Sequence, residues 1–242
     1  MTPEEDAKRD GLPREAVEPP VKPAAGDGDD VTFAVTPKQL ALKRVCVLID
    51  GFNLYHGMHD AFGRRFLWLD LRALAESLLK PGQRLTTTTY FTARVRNDAA
   101  GHARQSAYLG ALRATGVRVV EGRFQEKPRR CLRCGSSWMS YEEKESDVNL
   151  CVSLMEAARK RECDVVLLIT GDSDMAPAVR AARGMHPTLR IVTAFPPKRF
   201  SDELKRAVDA SLHIGRDKIS QAQLPGTVEA NGKTYTRPPY WA

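Results

Sequence analysis

Two stretches, VCVLIDGFN at 45–53 and DVVLLITGDSD at 164–174, decide the reading of this chain. Each contains a short apolar run rich in Val, Ile and Leu that gives way to Gly and Asp. Such a run fits a strand buried on both faces, as in a parallel sheet covered by helices. The acids then fall at the carboxyl ends of strands, where open α/β sheets place ligands. On this reading Asp50, Asp172 and Asp174 converge. Clustered carboxylates repel one another, so a fold that keeps several together usually holds them with a cation.

The pattern continues outward from these two runs. Periodicity predicts strands at 45–49, 85–93, 117–124, 165–170 and 189–194. It predicts helices at 54–62, 71–79, 102–115, 147–161, 175–183 and 201–210, with Ser146 as N-cap of the fourth. The alternation is that of an α/β fold with a doubly wound parallel sheet. Residues 1–42, rich in Pro, Gly and Asp, read as a disordered acidic N-terminal tail. Residues 43–215 form the expected domain, with an insertion at about 126–141, and 216–242 form a C-terminal extension. In that extension Asn231-Gly232, flanked by Thr227-Val228 and Thr234-Tyr235-Thr236, signals a type I′ hairpin. An isolated hairpin is marginal in water, so Tyr240 and Trp241 are expected to pack on the domain or on a second subunit. A homodimer therefore stays open.

Composition narrows the function classes. A chain of 242 residues suits one domain with tails. No stretch approaches the roughly 18 consecutive apolar residues of a membrane span, and the N-terminus lacks the apolar core of a signal peptide. The expectation is a soluble, cytoplasmic protein with no membrane partner. Five cysteines, an odd number, do not read as a disulfide framework. Cys46, Cys151 and Cys163 sit in apolar runs as small core residues. Residues 1–30 carry nine acids and four bases, a net of −5; the whole chain is +7, which leaves +12 in residues 31–242. A basic body around an acidic pocket suits a polyanionic substrate.

The insertion carries CLRCGSSW at 131–138. Cys131 and Cys134 can give two thiolates to Zn²⁺, but a structural site needs four ligands. His102 or a second subunit would have to complete it; otherwise the loop holds two free thiols. The flanking Arg129, Arg130 and Arg133 can track a phosphate backbone, or form a solvated charged loop.

DGFNLYH at 50–56, EEKESDVNL at 142–150 and TGDSD at 170–174, in that order and spacing, resemble the NYN domain. More closely they resemble its LabA-like (formerly DUF88) branch of the PIN-like nucleases, over about residues 44–215. The resemblance implies a PIN-like three-layer α/β/α sandwich with a central, mostly parallel sheet. It also implies an acid pocket for Mg²⁺ or Mn²⁺ and RNA as substrate. A PIN-like strand order 3-2-1-4-5 makes the first and fourth strands neighbours, which brings Asp50 beside Asp172 and Asp174, with Asp147 on the same rim. Asp50 and Asp172 are then the direct metal ligands. Asp147 and Asp174 bind through water or activate the attacking hydroxide. Asn53 hydrogen-bonds a ligand, a water or the scissile phosphate, or shapes the turn after Gly51. Thr170 and Ser173 donate hydroxyls to that phosphate, as a Thr or Ser does in the family, and Lys144 contacts it or pairs with a neighbouring Glu. Tyr55 and His56 either stack on bases or make helix-face core or rim contacts.

The expected function is a metal-dependent ribonuclease favouring single-stranded segments, whose phosphates can be splayed into the pocket. The alternatives are a non-catalytic RNA-binding or regulatory module, and a phosphohydrolase acting on small phosphate esters. The Asp-x-Asp at 172–174 is also similar to Toprim domains, but those place a Glu after the first strand, where this chain has Asp50-Gly51.

Overall fold

The computed structural model describes residues 42–96 and 98–241, without the side chains of 124, 125 and 140–144. The tail expected at 1–42 lies, but for Leu42, outside the described residues.

In chain order, β1 (Lys43–Asp50) leads through α1 (Gly51–Phe62) and α2 (Leu71–Ser77) to β2 (Gln83–Ala93). Then α3 (Ala99–Ala114) leads to β3 (Arg118–Arg130), and β4 (Ser137–Lys144) returns beside it. The second half runs α4 (Ser146–Lys160), β5 (Val165–Ile169), a 3₁₀ turn (Ser173–Met175), α5 (Ala176–Met185) and β6 (Arg190–Phe195). It continues with α6 (Asp202–Ala207), β7 (Ala210–His213), α7 (Arg216–Gln221) and a hairpin of β8 (Thr227–Ala230) and β9 (Lys233–Thr236). A last 3₁₀ turn spans Pro239–Trp241.

The main sheet has the order β4-β3-β2-β1-β5-β6-β7. All its pairings are parallel except that of β3 with β4. The chain winds outward from β1 to β3, then returns to place β5 on the other side of β1. Right-handed crossovers in opposite directions put helices on opposite faces. One core accordingly gathers Val45, Val47 and Ile49 of β1 and Val165, Leu167 and Ile169 of β5 with residues of α1, α2 and α3. The other gathers Cys46, Leu48, Val166 and Leu168 with α4, α5 and α6. Alternate residues of one strand thus serve two cores, which explains why β1 and β5 read as continuous apolar runs. The architecture is a three-layer α/β/α sandwich.

The insertion is a two-stranded ribbon with the Cys-x-x-Cys segment at its turn. The first part of β3, Arg118 to Gly122, pairs with β2. From Arg123 to Arg130 it pairs with β4 instead. The strand expected to end at 124 therefore continues as one arm of a two-stranded ribbon beyond β2. Ser146 is the first residue of α4 and not its N-cap; that position belongs to Glu145, at φ 82°. The helix expected over 201–210 stops at Ala207. Asp209 ends it: its amide donates to the Ile191 carbonyl at 2.9 Å and its carboxylate accepts from the Ile191 amide at 2.8 Å. That pair pulls the chain into sheet register as β7.

Residues 216–241 complete the first core. Ile219, Ala222 and Leu224 are buried in it. The Asp70 amide donates to the Ala222 carbonyl at 2.8 Å and the Leu224 amide to the Trp68 carbonyl at 3.0 Å. The buried Trp68 indole donates to the Pro225 carbonyl at 2.7 Å. Trp241 lies against Trp68 and Tyr108 of the same chain, at 6.4 and 5.7 Å between ring centroids. Tyr235 of β9 lies on α3 at Gly110, where a Cβ would come within 2.1 Å of its ring. Only glycine permits that approach. Gly110→Val should therefore lift the hairpin off α3. Limited proteolysis is expected to cut the variant within 225–241 while the parent resists, with a loss of about 1–3 kcal/mol in thermal or urea unfolding.

Candidate metal centre

Asp50 ends β1 and also caps α1. Its carboxylate accepts the Asn53 amide at 2.9 Å, satisfying one of the free N–H groups of the first helical turn. Its other oxygen accepts the Thr170 hydroxyl at 2.9 Å. Thr170 follows β5, the neighbour of β1, so strand pairing delivers the two residues to one place. The same hydroxyl accepts the Asp172 amide at 3.1 Å, which fixes the loop that carries Asp172. Asn53 adds a third tie, its side-chain oxygen accepting the Gly171 amide at 2.8 Å.

Around these ties, oxygens of Asp50, Asp147 and Asp172 lie within 4.8 Å of one another. Asp50 is buried, Asp172 half-buried and Asp147 exposed. Asp147 arrives from a different direction, in the first turn of α4. The left-handed conformation of Glu145 makes the turn from β4 into that helix, a strained conformation of a kind that clusters at functional sites. The three acids share a pocket of about 220 Å³ with Phe52, Asn53, His56 and Arg199. Burial, opposed by the bonds from Asn53 and Thr170 and reinforced by Asp147 and Asp172, pushes the Asp50 carboxyl up to about 6. The donor set is all oxygen, which fits a hard divalent ion such as Mg²⁺ or Mn²⁺ and not a thiolate-seeking metal.

The other expected site residues fall less evenly. Asp174 lies outside this close trio; its amide donates to the Asp172 carboxylate at 3.0 Å and its own side chain is exposed. It stays in the same field: burial first, then Asp147, Asp172 and Asp174, push the Cys151 thiol up. Thr170 is fully buried, and its hydroxyl donates to Asp50 and accepts the Asp172 amide. Ser173 is exposed on the 3₁₀ turn and does not line the pocket. The side chain of Lys144 lies outside the described residues.

Arg129, Arg130 and Arg133 are exposed on the ribbon and its turn. Cys131 and Cys134 are free thiols there. Hydrogen bonding with Ser136, and with Cys131 beside it, brings the Cys134 thiol down to about 7. Among the described residues no third His, Cys, Asp or Glu joins them as a metal-ligand group. The suggested partner His102 is an exposed residue of α3.

Arg199 was not legible in the sequence. It follows Lys198, which is left-handed at φ 58°, and its guanidinium pairs with Asp60 at 2.7 Å. Gly171 allows this loop to close on the site: a Cβ there would meet the Arg199 Cβ and the Phe200 amide nitrogen at 2.9 Å. No local motif marks Arg199, because it comes from the loop after β6, one strand beyond the acids.

The chain matches the family model of the NYN domain over residues 44–215. It is 26% identical over 240 residues to the 6-hydroxy-3-succinoylpyridine 3-monooxygenase HspA of Pseudomonas putida (strain DSM 28022 / S16), across 82% of this chain and 75% of that protein. A crystal structure of the protein of unknown function VPA0982 from Vibrio parahaemolyticus RIMD 2210633 is similar in fold, with a TM-score of 0.53 and 20% identity, across 73% of this chain and 96% of the other. With the match covering most of its length and the strand order and acid pocket described above, the chain belongs to the NYN-domain family, within the PIN-like superfamily.

Proposed function

We propose that this protein is a Mg²⁺- or Mn²⁺-dependent ribonuclease that hydrolyses phosphodiester bonds in single-stranded segments of RNA, as in the LabA-like branch that its motifs resemble. The observation that carries this reading is the oxygen trio of Asp50, Asp147 and Asp172 at the junction of β1 and β5. In it Asp50, Asp172 and Asp147 would hold the ion, and Asp174 would act from the rim. A divalent ion in such a site lowers the pKa of bound water and offsets charge on the phosphoryl oxygens.

The chain's own groups supply the rest. Thr170 and Asn53 hold Asp50 and the Asp172 loop in place, so the carboxylates need little rearrangement. Arg199, held by its pair with Asp60, places a guanidinium on the rim of the same pocket. The basic ribbon of Arg129, Arg130 and Arg133 offers exposed cations for phosphate contacts. No helix among the described residues is long and apolar enough to cross a membrane.

The name of the Pseudomonas relative suggests a second reading, oxygenation of a small pyridine. An apolar, aromatic-lined cavity beside the acid pocket is the observation in its favour. The carboxylate trio and the +12 of residues 31–242 favour a polyanion held with a cation. Incubation with labelled RNA, labelled DNA, small phosphate esters and 6-hydroxy-3-succinoylpyridine separates the candidates. Cleavage of RNA that needs Mg²⁺ or Mn²⁺ and stops in EDTA is the expected result. RNA binding without turnover of any substrate would leave a binding module instead.

Asp172→Asn is expected to lower RNA cleavage by at least about 100-fold while leaving the fold intact by circular dichroism. Unchanged cleavage by the purified variant would remove Asp172 from the site.

Asp50 also predicts a pH-dependent stability. Its carboxyl is raised from 3.8 to about 6 on folding, so the folded chain holds that proton more tightly than the unfolded chain. Asp50 therefore opposes folding increasingly as pH climbs from 3.8 through 6, by at most about 3 kcal/mol at neutral pH. In EDTA at pH 7.5, Asp50→Asn should melt at or above the parent, and the difference should vanish in acid. Added Mn²⁺ should raise the Tm of the parent and not of the variant.

Replacing Arg129, Arg130 and Arg133 together with Ala should weaken RNA binding. It should also flatten the dependence of log affinity on log salt by about 2, because each phosphate neutralised on a single strand adds about 0.7 to that slope.

A further inference from the structure

A second cavity, of about 260 Å³, adjoins the carboxylate pocket, and Phe52 and His56 of α1 line both. Its other walls come from distant parts of the chain: Tyr55 from α1, Tyr90 from β2, Tyr108 from α3, and Tyr240 and Trp241 from the C-terminus. These rings are set before any ligand arrives. Tyr90 meets Tyr108 edge to face at 6.4 Å, and Tyr108 meets Trp241 edge to face at 5.7 Å. Tyr240 is held by the guanidinium groups of Arg64 and Arg104, at 3.5 and 4.5 Å from its ring centroid. Tyr55, 40% exposed, stands at the open side and stacks on His59 at 6.0 Å.

Gln105, Asp98 and Tyr108 along this wall are engaged within the protein. The Gln105 amide donates to the Ala93 carbonyl and accepts the Val95 amide, both at 2.8 Å. Asp98 accepts the Gly101 amide at 2.8 Å and pairs with Arg104 at 3.4 Å. The Tyr108 hydroxyl donates to the Leu69 carbonyl at 2.9 Å. A ligand here is therefore recognised by its shape and by the faces of a ring more than by its edge. The volume falls just below the roughly 300 Å³ at which drug-sized pockets begin, so it suits one planar ring system. Phe52 and His56 are one helical turn apart, about 6 Å along the axis, which is the scale of a single nucleotide.

We propose that this cavity is a base-binding subsite, which takes the nucleobase of the nucleotide whose phosphate lies at the Asp50, Asp147 and Asp172 pocket. The proposal rests on the nuclease reading of that pocket and adds what the pocket itself lacks, a grip on the base. Aromatic walls hold any base, because every base has a π-face, so the subsite is tolerant of sequence. The C-terminal segment becomes part of the binding machinery, since Tyr240 and Trp241 close the cavity.

Isothermal titration of the full chain in Mg²⁺ with adenosine 5′-monophosphate, cytidine 5′-monophosphate, ribose 5-phosphate and pyridine-3-carboxylate tests this. Both nucleotides should bind at least about tenfold more tightly than ribose 5-phosphate, and within about fivefold of each other. Tyr55→Ala, at an exposed position, and Val95→Trp, which fills the cavity from its rim, should each reduce that preference to less than about twofold. Thermal melts verify that both variants are folded, and either one suffices if the other fails. Equal binding of ribose 5-phosphate, or a preference untouched by a folded variant, would overturn the subsite. Binding of pyridine-3-carboxylate without either nucleotide would also overturn it, in favour of a small heteroaromatic acid. RNA cleavage measured in parallel keeps the two readings apart. Cleavage without a preference for the nucleotides over ribose 5-phosphate removes the subsite alone; that preference without metal-dependent cleavage removes the nuclease and leaves a nucleotide site.

Discussion

The buried carboxylate of Asp50 is the constraint on which the surrounding architecture turns. A carboxylate at the end of a central strand, with little access to water, is costly to ionise. Two donors offset part of that cost, the Asn53 amide and the Thr170 hydroxyl. Each ties Asp50 to something else: the first to the start of α1, the second to the end of β5. Asp147 and Asp172 then add negative charge where an isolated fold would avoid it. A divalent cation is compatible with such a cluster, because its charge would offset the repulsion.

The two directions of winding explain how so many chemical groups reach one edge. The crossovers leave β1 and β5 adjacent at the centre, so the loops after both strands open at the same end of the sheet. The ribbon of β3 and β4 returns the chain to α4 and so to Asp147. The loop after β6 adds Arg199 from the other side. Glu145 and Lys198 take left-handed conformations at the two places where a rim residue is delivered from outside the central pair. Such backbone strain is sustained only where packing around it is firm. Here Leu150 and Leu154 of α4 and Phe195 of β6 are fully buried in the second core.

The C-terminal extension has a structural part in the same logic. The first core would be open near Trp68 and Tyr108 without it. Residues 219–225 cover that gap through backbone bonds to Trp68 and Asp70. Trp241 then packs on the aromatic side chains of Trp68 and Tyr108. The fold thus extends past residue 215, where the family match ends.

Much of this was legible along the chain because it is local. Apolar runs that end in acid mark strands buried on both faces, and β1 and β5 carry that mark in consecutive residues. The positions of Asp50, Asp147 and Asp172 followed from those runs and from the motif order. The Asn231-Gly232 turn likewise carries its signal within two residues, since type I′ geometry demands positive φ at both, and both have it. What sequence alone left undecided depends on pairing between distant segments. The extension of β3 into a ribbon depends on which partner it finds beyond Gly122. The end of α6 depends on Asp209 meeting Ile191. The setting of Thr170 depends on strand register, which turns its hydroxyl toward Asp50. The aromatic cavity is drawn from residues 52 to 241, and no window of sequence contains it. A linear pattern records what a residue prefers beside its neighbours; only the folded sheet sets which carboxylate, hydroxyl or ring lies across from it.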